Sequence, residues 1–150
     1  MSVCSKLSTL ARLSPRERRA VVRMAPAALV VSAGLGRIPV TSLLRLLGLR
    51  AEFQARPNAA DQAQAIRNAS FAVGIWARNW PGMSSCLPRA LVLTHALRAH
   101  GAVLRIGVAR GASQEVAAHA WVDVDGRSLD GPSAADAPRV FLPLRHAGCR

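Results

Sequence analysis

Tyrosine is absent from this 150-residue chain, and lysine occurs once, at Lys6. Aromatic residues make up only 4% of it, so a core built mainly from packed rings is excluded. Acids are scarce as well: 8 Asp and Glu stand against 20 Lys and Arg, a formal net charge of +12. Long apolar runs are missing. The best, Met24 to Gly36, is closed off by Arg23 and Arg37 and interrupted by Pro26, short of the roughly twenty residues a membrane-spanning helix needs. No signal peptide is legible in the first residues. The three cysteines, Cys4, Cys86 and Cys149, make no disulfide framework, and no spacing resembles a metal site, so neither metal nor cofactor is expected. Reduced thiols point to a cytoplasmic setting. Zinc-finger spacing and RNA-binding aromatic motifs are missing too. The charge therefore reads as a solvated basic surface, or as one suited to an acidic protein or peptide or to peripheral contact with an anionic membrane, rather than to nucleic acid. The arginines are spread along the chain with no single cluster.

With 51% hydrophobic residues at this length, the chain is expected to fold as one domain around a real core. Ser14-Pro15-Arg16-Glu17 is a helix opening: a serine cap, a proline at the first position and a glutamate able to reach back. That helix should be kinked or ended by Pro26, with a second piece to about Ser32 and a stop at Gly34 and Gly36. A shorter helix is expected over Ser42–Leu47, closed by Gly48. Asn58 is expected to cap the next helix, whose Ile66, Ala69, Ser70, Val73, Ala77 and Trp80 recur at three-four spacing. After Pro81-Gly82, Ser84 or Ser85 should cap a central helix that ends at Gly101. Beyond it the pattern turns extended: strands over Val103–Ala109, Val116–Val124 and Arg127–Asp130, with a last short one over Val140–Leu144. Asp125-Gly126 marks a two-residue hairpin turn. Helices followed by an antiparallel sheet make an α+β fold. Residues 1–57 form a basic helical region packed with the core, and 58–150 form the core itself.

Three residues suggest chemistry. Cys86 stands at the mouth of the central helix, where free N–H groups and the helix dipole favour a thiolate and can line an oxyanion hole. His119 lies inside an apolar strand and could take the thiol proton, then return it to a leaving amine. A carboxylate could hold the imidazole in one tautomer. Across the hairpin Asp130 fits best. Asp123 lies about 13 Å along the same strand, and Asp125 sits in the turn. The blander alternatives are a cysteine serving as a small buried residue and a histidine serving as packing. His95 and His100 read as surface or packing residues. Trp76 reads as core. Trp80 could wall a cleft, and Ser84, Ser85 and Trp121 are the other candidates for touching substrate.

The stretches Cys86-Leu87-Pro88-Arg89-Ala90-Leu91, Leu97-Arg98-Ala99-His100-Gly101, Arg105-Ile106-Gly107-Val108 and Ala118-His119-Ala120-Trp121-Val122, with Asp125-Gly126 and Asp130, resemble the transglutaminase-like cysteine peptidases of lasso-peptide biosynthesis. The likeness spans about residues 66–131. It implies a papain-like core with the nucleophile helix packed on a small antiparallel sheet, and Cys86, His119 and Asp130 as nucleophile, base and orienting acid. It implies removal of the leader from a ribosomally made precursor peptide, before a separate asparagine-synthetase-like cyclase closes the ring. It also implies the stand-alone form of the peptidase, which relies on a small leader-recognition protein. No glutamine precedes Cys86, so the oxyanion hole would use backbone N–H with a serine, or water. Two other functions fit the residues: a transglutaminase-like acyl transferase, and a non-catalytic module that binds a peptide or partner through its basic surface.

Overall fold

Ser14 and Glu17 close the first helix as their spacing predicts. The Ser14 backbone N–H donates to Glu17 Oε2 at 2.8 Å, and the Glu17 N–H donates to Ser14 Oγ at 3.4 Å, a complete capping box. A computed structural model of the chain describes residues 13–49, 59–110, 116–129 and 142–143. From this cap α1 runs over Pro15–Gly34 without a break. The expected interruption at Pro26 does not occur. Val21, Met24, Ala27, Ala28 and Val31 are buried on both sides of the proline, and that continuous apolar face outweighs one lost backbone hydrogen bond.

A short helix, α2, covers Val40–Leu46, beginning two residues earlier than expected and followed by Gly48 at φ 66°. Next, α3 spans Ala59–Asn79, with Asp61 in its first turn. Asn58, expected to cap it, lies outside the described residues. The buried stripe of α3 is Ala69, Ala72 and Val73, while Ser70 is exposed, so the helix turns a slightly different face inward than its spacing suggests. Trp76 is half-buried, and its Nε1–H donates to the Val21 carbonyl at 3.0 Å, tying α3 to α1.

The central helix, α4, covers Cys86–Ala96 and buries Pro88, Ala90, Leu91, Val92, Leu93 and Thr94. Thr94 satisfies its hydroxyl on the Ala90 carbonyl at 2.7 Å. A turn of 3-10 helix at Arg98–His100 and a left-handed Gly101 then reverse the chain.

Strands β1 (Val103–Arg110), β2 (Val116–Val124), β3 (Arg127–Leu129) and β4 (Leu142–Pro143) form one antiparallel sheet in the order β3-β2-β1-β4. Asp125 and Gly126 both adopt positive φ, 48° and 77°, as a two-residue hairpin turn requires. The architecture is α+β, as expected. Helix α4 packs on β2 and β1 on one side and on α1 and α3 on the other. One cluster joins Val21, Val31, Val73, Leu91, Val92, Val122 and Val124, so the amino-terminal helix shares the core of the sheet. No helix among the described residues is long and apolar enough to cross a membrane.

Candidate active site

Cys86 is the first residue of α4 and is half-buried as a free thiol. Ser85 occupies the capping position in an extended conformation, yet its hydroxyl makes no capping hydrogen bond. Pro88 contributes to this. A capping serine oxygen accepts from the N–H of the second or third helical residue, and the third residue here, Pro88, has no N–H to give. The expectation that Ser84 or Ser85 would cap the helix through its side chain is therefore corrected. Both serines are exposed, and Ser85 does not claim the amides of the first turn.

His119 sits on β2 directly opposite Gly107 of β1. Glycine at that point removes the cross-strand side chain that would otherwise lie about 5 Å from the imidazole. The His119 and Trp121 rings stack at 6.1 Å with an interplanar angle of 17°. Trp121 is buried, and its Nε1–H donates to Asp123 Oδ1 at 3.1 Å. Asp123 also accepts from Arg105 Nε at 3.0 Å and from Ser128 Oγ at 2.7 Å. It is the hub of a surface network across three strands. Asp125, in the turn, accepts from Gln62 Nε2 at 2.7 Å. Both alternative acids thus hold structural partners. Asp130 lies outside the described residues.

Topology brings Cys86 and His119 to the same end of the α4–sheet layer. β1 leaves the carboxyl end of α4 through a short turn and packs back along it. Four residues up β1, from Val103 to Gly107, carry the chain about 13 Å. The ten residues from Cys86 to Ala96 span about 15 Å of helix. The strand end that bears His119 therefore lies level with the mouth of α4. Strand alternation adds a constraint. Ala120, Val122 and Val124 form the row that joins the core, whereas His119, Trp121 and Asp123 form the other. Ala118, which continues the row of Ala120, Val122 and Val124 beyond Ala120, is exposed.

Trp80 directly follows the end of α3. It is 37% exposed, meets Trp76 edge-on at 5.5 Å, and lines a shallow depression of about 480 Å³ with Leu29, Ser32, Ala33 and Pro81. His95 is a structural tie: its Nδ1 meets the Leu47 carbonyl at 2.8 Å, which requires Nδ1–H, leaving Nε2 to accept from Arg98 at 3.1 Å. Sequence reasoning missed this tie and the Asp123 network, since both depend on which elements pack together.

Comparison with known proteins adds one finding. The family model of the transglutaminase-like superfamily matches residues 27–144. The chain belongs to that superfamily. The match begins inside α1 and runs through β4, so it covers every described element from the middle of the first helix onward. No curated protein and no solved structure matches the chain. Membership points to a cysteine peptidase or an acyl transferase, chemistries that share a thioester on the nucleophilic cysteine.

Proposed function

We propose that this member of the superfamily is a cysteine peptidase that removes the leader from a ribosomally made lasso-peptide precursor. The observation that carries the reading is Cys86 itself: a half-buried thiol at the first position of α4, beside first-turn amides that Ser85 leaves unclaimed. The thiolate attacks the scissile carbonyl, and those amides receive the developing oxyanion. His119 takes the thiol proton and returns it to the amine as the carbon–nitrogen bond breaks. Water, deprotonated by the same imidazole, then releases the leader from its thioester. Asp130 orients the ring. Because His119 belongs to the row of β2 opposite the one that joins the core, this reading requires its ring to turn toward the α4 side of the sheet.

A small leader-recognition protein would hold the precursor, and an asparagine-synthetase-like cyclase would receive the freed core. Superfamily membership also supports an acyl transferase, in which an amine rather than water resolves the thioester. Product mass separates the two: a shortened peptide, or a new amide bond. Cys86→Ala is expected to lower precursor cleavage by at least about a thousandfold while the thermal melt is retained. Undiminished cleavage by that variant would sink the reading.

A further inference from the structure

A second concavity lies at the other end of α4 from Cys86. It is a groove of about 910 Å³ between α1, α3 and the carboxyl end of α4. Arg16, Arg19 and Arg23 line one wall, and Arg98 and His100 close one end. Although the arginines are scattered in sequence, the fold gathers these four. Positions 16, 19 and 23 share one face of α1 and span about 10 Å. All three are exposed, and none has a hydrogen-bond or ion-pair partner among the described residues. Among the described residues, no Asp or Glu lines the groove. Its floor is apolar, with Met24 and Ala69 buried beneath the charges. His100 adds an independent sign of a missing partner: its Nδ1 is buried and makes no hydrogen bond among the described residues.

We infer that this groove docks an acidic segment of a peptide, three or four extended residues long, whose carboxylates pair with Arg16, Arg19 and Arg23. An apolar floor under a row of guanidinium groups suits a chain that presents carboxylates on one side and its own backbone and small side chains on the other. On the reading of Cys86 as nucleophile, the same geometry sets a spacing. Ala96, at the groove, is about 15 Å from Cys86 along α4. An extended chain rises about 3.3 Å per residue, so about five residues must separate the acidic segment from the bond at Cys86.

Binding is measured on full-length Cys86→Ala protein with a fluorescent glutamate-rich peptide, by anisotropy. The peptide is expected to bind, and to bind less tightly as salt rises. The triple variant R16Q/R19Q/R23Q is expected to weaken binding about tenfold, the sum of three exposed ion pairs. The control R37Q/R45Q/R78Q removes the same charge elsewhere and should leave affinity within about twofold. Equal losses in the two triples would overturn the site, as would equal binding of a glutamine-for-glutamate peptide. Stronger binding of an anionic phospholipid vesicle or a single-stranded oligonucleotide through the same three arginines would overturn the assignment to peptide. Circular dichroism confirms that both triples fold.

The spacing is read on wild-type protein with acidic peptides carrying a chloroacetamide two or six residues beyond the acidic run. Alkylation of Cys86, located by peptide mass, should be accelerated only by the longer arm, and acceleration by the shorter one would refute the spacing. Neither assay depends on turnover. Loss of the groove would leave the cysteine chemistry untouched, and cleavage by Cys86→Ala would leave the groove intact.

Discussion

The two ends of α4 are built in opposite ways. At the carboxyl end several polar side chains tie the helix to distant segments. His95 bridges Leu47 and Arg98, and Gln62 of α3 donates both to the His100 carbonyl at 3.3 Å and to Asp125 in the hairpin turn. Three segments distant in sequence are pinned there by side chains. At the amino end Pro88 removes one of the two donors a capping serine can use, Ser85 makes no capping hydrogen bond, and the flanking serines face solvent. The difference teaches a division of labour along one helix. The pinned end fixes the helix against the sheet, and the open end keeps backbone donors available to a reacting group.

The strongest way to break this comparison is at the third member of the proposed triad. Asp130→Asn is expected to lower turnover by about a hundredfold or more with little change in stability, because an amide cannot hold the imidazole in the same tautomer. Asp123→Ala should do the reverse. It leaves the buried Trp121 N–H without its acceptor and costs about 1–3 kcal/mol in a urea melt, with activity falling only as the folded fraction does. If Asp123→Ala abolished activity in fully folded protein, the acid would be Asp123, and the open end would extend along β2.

A smaller effect probes the pinned end. Gln62→Ala should cost about 1 kcal/mol and speed amide exchange at Asp125 and Gly126, while exchange around Leu91 follows global unfolding. Unchanged exchange at the turn would show that the tie does not hold the hairpin.

The smallest effect concerns pH. Glu17 is held below the usual carboxylate range, first by the Ser14 side chain and then by the Ser14 backbone N–H. A depressed carboxylate contributes stability above its unfolded value and loses it as pH falls through its folded value. The stability gap between wild type and Ser14→Ala should therefore be present at about pH 7 and narrow toward about pH 3 in parallel urea melts.

Much of this was legible in the chain because it is local. The capping box needs only Ser14 and Glu17, and the hairpin needs only Asp125-Gly126. The alternation of Ala120, Val122 and Val124 with His119, Trp121 and Asp123 is equally plain in the sequence, and it carries the row assignment that the triad reading overlooked. Other features were not legible, since tertiary packing decides them. The apolar face of α1 carries the helix through Pro26, and the Ser85 hydroxyl makes no cap at the start of α4. Arg98 and the arginines of α1, far apart in sequence, meet only because α1 crosses the carboxyl end of α4. The candidate nucleophile and base could be named from motif, whereas their common end of the layer follows from the direction in which β1 returns.

Pro26 has a mechanical consequence. A proline leaves the carbonyl four residues earlier without its helical donor, here at exposed Val22, where water can serve instead. The rod is therefore weakest between its basic first half and its deeply anchored second half. One residue before that weak rung, the Trp76 indole grips the Val21 carbonyl from the neighbouring helix. The indole acts as a stay across a joint. Load that a docked peptide places on Arg16 and Arg19 is shared between this bond and the buried Val21 side chain before it can bend α1.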